Sequence, residues 1–151
     1  MSAVTYSNTD VEQYIEQHFV PVQINVVEHP EMPDLFGAPW TPTIIVEDAD
    51  GQEYRRLEGF YDPHRFEEEL ALARVKAALD QKDFANARNR VAEALHFTRG
   101  DPQREPETLY WSAVVDYKTS HNAEDLKKGW NELLQKFPDS EWAHKAEVIR
   151  G

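Results

Sequence analysis

Val11, Tyr14, Ile15 and Phe19 recur at the spacing that puts them on one face of a helix, and this predicts a first helix starting near Thr9. Thr9, with Glu12 three residues on, reads as a capping box for its N-terminus. The period then changes. Between Phe19 and Val27, the residues Val20, Val22, Ile24 and Val26 alternate with Pro21, Gln23 and Asn25, which predicts a strand with one buried face. Pro21 sits at the start of that run, where a missing N–H is tolerated. His29 to Pro39 is punctuated by prolines, and Met32, Leu35 and Phe36 predict one short helical turn ended by Gly37. Thr43-Ile44-Ile45-Val46 predicts a second, more fully buried strand. Asp48-Ala49-Asp50-Gly51 then reads as a hairpin turn, from which Gln52 to Glu58 returns antiparallel. Arg55 and Arg56 fall on alternate faces of that edge strand, where charge opposes sheet-to-sheet aggregation.

Beyond Asp62 nothing strand-like remains. Asp62 reads as an N-cap with Pro63 in the first helical position, and Glu67, Glu68 and Glu69 occupy early turns, where the helix dipole favours them. This helix, at about 62–80, carries two apolar sides. Phe66, Leu70, Ala73 and Ala77 cover the sheet, while Leu72, Val75 and Leu79 face elsewhere. Further helices are expected at about 83–97, 105–119, 123–137 and 140–149. An offset of 39 aligns Leu70 with Leu109, Ala87 with Leu126, Val91 with Trp130 and Leu95 with Leu134, the pattern of a repeated helix pair. The organisation expected is an α/β half, residues 1–80, and an all-helical half, residues 81–151, packed as one body through the shared helix.

Charge sharpens that division. Residues 1–80 carry 5 basic and 16 acidic side chains, residues 81–151 carry 11 and 12, and the whole chain has a net charge of −12. Such a surface repels nucleic acid. No stretch approaches the ~20 apolar residues that span a bilayer, so the expectation is a soluble, cytoplasmic protein with no membrane or nucleic-acid partner. There is no cysteine, which removes disulfides, thiolate metal sites and sulfur nucleophiles. The Asp48-Ala49-Asp50-Gly51 string lacks the distal ligands of a calcium loop, and no two of the six histidines have helical metal-site spacing. No metal, no cofactor and no catalytic residue are expected.

Taken together, "HFVPVQINV", "FGAPWTPTIIVED", "DADGQEYRRLEGF" and "DPHRFEEELALA" resemble, in order, a strand, the loop and following strand, the closing hairpin and the terminal helix of the thioredoxin-like superfamily. The resemblance runs from Val4 to Leu79. It implies a cis bond before Pro42 within Trp40-Thr41-Pro42-Thr43, and a substrate groove lined by that loop. It also exposes a departure: the central strand and Cys-x-x-Cys that the family carries first are not in this sequence. A sheet without its central strand leaves two rows of backbone polar groups to satisfy, each costing about 1–3 kcal/mol if buried unpaired. The flanking strands pairing directly, Ala3-Val4-Thr5-Tyr6 folding back, or a segment from a second copy would each fill the gap. In the helical half, "DFANARNRVAEAL" and "FPDSEWAHKA" resemble tetratricopeptide repeats, whose usual period of about 34 is exceeded here by the polar loop from Thr98 to Pro106. The fold class expected is α/β plus all-α, an incomplete thioredoxin-like sheet with a helical-hairpin extension.

Three functional readings follow. The first is a redox-inactive interaction or scaffold protein that binds a protein or peptide partner or forms a homodimer. The second is a thiol:disulfide oxidoreductase whose Cys-x-x-Cys segment is absent from this chain. The third is a chaperone-like module that holds extended peptide on Trp40, Thr41 and Pro42. A helical groove built from Tyr110, Trp111, Tyr117 and Trp130, with Lys118, Lys127 and Lys128 facing an acidic partner, is the second candidate surface, although Tyr110, Trp111, Tyr117, Trp130 and Trp142 also have the spacing of core residues.

Overall fold

The computed structural model describes residues 7–150, with side chains to Val148. Its elements are α1 (Thr9–His18), α2 (Met32–Leu35), β1 (Thr43–Glu47), β2 (Glu53–Glu58), α3 (Pro63–Asp80), α4 (Phe84–Thr98), α5 (Glu105–Ser120), α6 (Ala123–Lys136) and α7 (Glu141–Ala146), followed by a 3-10 turn over Glu147–Arg150. The chain divides into two compact units, Met1–Leu70 and Ala71–Gly151, with the division inside α3.

In the first unit α1 begins where expected, but its cap is Asn8 rather than a Thr9–Glu12 box. The Asn8 side-chain oxygen accepts the Asp10 and Val11 N–H groups at 3.0 and 3.2 Å. Val11 is fully buried, in a cluster with Leu57, Phe66 and Leu70 that also takes in Tyr14, Ile15, Phe19, Ile44 and Val46. β1 and β2 pair antiparallel, Ile44 opposite Leu57 and Val46 opposite Arg55, with a bulge between Val46 and Glu47. The hairpin turn is built on Asp48, whose carboxylate accepts the Asp50 and Gln52 N–H groups and the Tyr54 hydroxyl. Those bonds, with that from Gln52 the largest, hold its pKa below the usual carboxylate value.

The strand expected over Phe19–Val27 does not form, and the described residues contain a two-stranded sheet. A strand exists only through a neighbour's hydrogen bonds, and direct pairing with β1, one of the three ways of closing the gap, does not occur. The Asn25 side chain instead accepts the Val27 N–H at 3.0 Å and turns the chain. The expected buried face is likewise absent: Val20 is 91% exposed and Val22 79%. Thr43 to Val46 of β1 are half-buried rather than fully buried, and among the described residues β2 is the strand's one neighbour. Ala3-Val4-Thr5-Tyr6 lies outside the described residues.

Glu68 and Glu69, on the early turns of α3, are buried. Arg55 reaches Glu69 at 2.5 Å and Arg65 reaches it at 2.9 Å, while His64 and Arg65 lie beside Glu68. Arg55 thus joins β2 to α3 rather than serving as an edge charge.

In the second unit the C-terminal half of α3 packs with α4 and α5 around Ala71, Leu72, Val75, Ala87, Val91, Ala94 and Val115. A second cluster joins α5, α6 and α7 around Ala113, Trp130, Leu133, Leu134, Ala143 and Ala146. Two of the joints between helices are alike. The turn from α3 to α4 uses Lys82 at φ 59° followed by the N-cap Asp83, and that from α5 to α6 uses His121 at φ 56° followed by the N-cap Asn122. Each pair of joint residues is separated by the offset of 39. The loop between the pairs is shorter than Thr98–Pro106: Thr98 is buried at the end of α4, its hydroxyl 3.0 Å from that of Thr108, and Glu105 and Pro106 are buried in the first turn of α5.

Glu105 closes that loop. Its carboxylate accepts the Gly100 N–H at 2.7 Å and pairs with Lys136. Burial works against the charge, but the Lys136 and Gly100 hydrogen bonds and the nearby Arg99 outweigh it and leave the carboxyl below its usual range. A depressed folded pKa stabilises the protein above the unfolded-state value, and the contribution disappears as pH falls through the folded value. Glu105→Gln should therefore lower the denaturant midpoint at neutral pH and converge with the parent in acid, measured by circular dichroism across the carboxylate range.

Candidate functional site

The loop Trp40-Thr41-Pro42 is positioned from beneath by β1 and β2. The Arg56 guanidinium donates to the Phe36 and Gly37 carbonyls at 3.0 and 3.3 Å and is held in turn by Glu53 at 2.6 Å. The Thr43 hydroxyl donates to the Trp40 carbonyl, and the Gly59 N–H donates to the Pro42 carbonyl at 2.9 Å. The Thr41–Pro42 peptide bond is cis. The Trp40 and Pro42 carbonyls are thus bonded, while the Trp40 side chain is 69% exposed and Phe60, next after Gly59, is 60% exposed. An indole presented on a fixed backbone offers apolar contact area at low entropic cost.

The helical candidates separate into groups. Tyr110, Trp111 and Trp130 come together with Trp142. Tyr110 stacks on Trp130 at 4.8 Å and lies 5.1 Å from Trp142, which is 6.0 Å from Trp111. Trp130 is buried, and its indole N–H donates to the Tyr110 carbonyl at 3.3 Å. These rings hold α5, α6 and α7 together. Tyr117 and Lys118 lie beside each other at 5.7 Å, outside that stack. Lys127 is exposed and bonded to Glu124, and Lys128 lines a groove of about 320 Å³ with Arg88, Asp116, Asp125 and Glu132. The groove is polar and carries both signs of charge.

Sequence patterning pointed to Trp40 and Pro42 but not to Arg56, whose reach to the Phe36 carbonyl spans twenty residues. Among the described residues no three His, Asp or Glu side chains are placed to hold a metal ion, and no helix is long and apolar enough to cross a membrane.

Comparison with known proteins adds one positive finding. Neither the curated proteins nor the solved structures give a significant match. Residues 1–74, which contain the cis-Pro42 loop, the β1–β2 hairpin and the start of α3, match the family model described as a thioredoxin-like domain. Residues 1–74, just under half of the chain, are thus similar to a thioredoxin-like domain.

Proposed function

We propose that the chain is a redox-inactive thioredoxin-like interaction protein, binding polypeptide through its first unit and using its tetratricopeptide-like helical hairpins as a second scaffold. The observation that carries this reading is the Trp40 loop, an exposed indole on a backbone held by Thr43 and Gly59, with Arg56 bonded to the preceding Phe36 carbonyl. The absence of cysteine supports it, because thiol–disulfide exchange requires a thiolate that this chain does not possess. The same loop favours the chaperone-like form of the reading, in which extended backbone is held without chemistry. Cytoplasmic location accords with the cysteine-free composition.

The test is titration of the protein with a reduced, carboxymethylated, permanently unfolded polypeptide, followed by tryptophan fluorescence and calorimetry. Saturable binding is expected, weakened about tenfold, or about 1.4 kcal/mol, by Trp40→Ala with the unfolding midpoint unchanged. Lost stability with unchanged affinity would make Trp40 a structural residue. No catalysed reduction of insulin disulfides is expected, and turnover by the pure chain would refute the reading.

A further inference from the structure

The groove of about 320 Å³ lies within the second unit, and its walls are two helix faces. Leu109 and Asp116 belong to α5, Asp125, Lys128 and Glu132 to α6, and Arg88 comes from α4. The floor carries little bulk. Ala113 and Gly129 meet there, so closely that a Cβ on Gly129 would stand 2.5 Å from that of Ala113. The joint at His121-Asn122 reverses the chain between α5 and α6, so this one contact fixes what faces what across the groove. Asp116 and Asp125 lie at the end near the joint, and Leu109 and Glu132 at the other.

Both signs of charge line the groove, but unequally. Arg88 is already engaged, its guanidinium 3.4 Å from the Asp116 carboxylate. Asp125, Lys128 and Glu132 follow one another at about one helical turn, yet among the described residues their side chains pair neither with each other nor elsewhere. Two uncommitted carboxylates therefore face one uncommitted ammonium, in a chain of net charge −12, and the field of the groove favours one added positive charge. Since no three acidic or histidine side chains among the described residues are placed for a metal ion, the fitting cation is organic. The volume is at the small end of ligand clefts, about 300–1,000 Å³, which suits a single side chain rather than a helix or strand.

We propose that this groove receives one arginine or lysine side chain of a polypeptide partner, its charged head at the Asp116–Asp125 end and its methylene stem toward Leu109. A long basic side chain matches both parts, since its head makes charge-assisted bonds to carboxylates while its stem covers apolar surface. Lys128 opposes such a guest, and a second copy of this acidic chain brings the wrong sign to the contact. The proposal rests on the scaffold half of the interaction reading and adds to it a site and a class of partner.

The experiment titrates the full chain with a blocked pentapeptide, one arginine flanked on each side by two alanines, followed by two-dimensional NMR. Saturable binding in about the millimolar range is expected. Amide shift changes should concentrate at residues 109–116 and 125–132, and added salt should weaken the binding. Replacing the arginine by uncharged citrulline should cost at least about tenfold in affinity. Asp125→Asn should weaken binding about fivefold, whereas Lys128→Gln, which removes the opposing cation, should tighten it about threefold. Neither substitution should move the unfolding midpoint. If either variant loses its fold, the shift map and the citrulline peptide on the parent chain decide. Equal affinity for the citrulline peptide, shift changes confined to other residues, weaker binding by folded Lys128→Gln, or ethylguanidinium binding as tightly as the peptide would each overturn the proposal. Failure of the arginine peptide while the unfolded polypeptide still binds through Trp40 would refute the groove alone; failure of both would refute the interaction reading as well.

Discussion

Gly129→Val should be the most damaging single substitution in the helical unit, costing about 3 kcal/mol or more and lowering the melting temperature by about 6–12 °C. A Cβ at position 129 would stand 2.5 Å from the Ala113 Cβ and 3.2 Å from the Ala113 Cα. The nearer atom is a short side chain with no freedom to turn aside, and the next is backbone, so α5 and α6 must move apart. Gly129→Ala isolates the steric effect: alanine is favoured over glycine in a helix interior by about 1 kcal/mol, so a net loss of stability measures the clash against that gain. Ala113→Gly in the Gly129→Ala background should recover much of the loss, and a double-mutant cycle by denaturant unfolding checks it. A gain in stability from Gly129→Ala alone would show that the two helices do not meet there.

The second large effect is expected at Arg55. Replacing it by methionine keeps the aliphatic bulk and removes the cation 2.5 Å from Glu69, a carboxylate only 4% exposed. Arg65 remains at 2.9 Å but reaches the other oxygen. A buried charge deprived of a partner costs about 3–5 kcal/mol, and the surviving Arg65 contact places this case near the lower end, about 3 kcal/mol. Arg55→Met with Glu69→Met together should recover most of it, because apolar replacement of both members removes the desolvation cost. Urea unfolding of the two single variants and the double variant checks the sign of the coupling. A loss at Arg55→Met no larger than that of an exposed ion pair would contradict the buried β2–α3 link.

Local patterning made much of this fold readable. The helices α4 to α6 follow from apolar spacing because their core residues are near neighbours in sequence, and the Asp48–Gly51 turn follows because its hydrogen bonds close within six residues. The Trp40-Thr41-Pro42 loop was legible as a local motif, through the family resemblance. What escaped depends on residues far apart. Val20, Val22 and Ile24 carry a strand's alternation, but alternation specifies a face, whereas a strand needs a second backbone. Glu69 and Glu105 look like surface charges until Arg55 and Lys136, distant in sequence, are brought to them. Trp130 has spacing that suits core and groove alike, and its burial, with the Tyr110 carbonyl at its indole nitrogen, puts it in the core. Arg56 beneath the loop and Gly129 against Ala113 had no signal of their own.

The paired joints at Lys82-Asp83 and His121-Asn122 carry an architectural consequence. Each places one left-handed residue before a side chain that caps the next helix, so the reversal from α3 into α4 and that from α5 into α6 are made by the same local device. The chain leaves α6 differently, through Phe137 at φ −136° and ψ 60°, with Ser140 as the next cap. The reversals inside the two helix pairs are therefore closed alike, and α7 adds Ala143 and Ala146 to the cluster that holds Leu133 and Leu134.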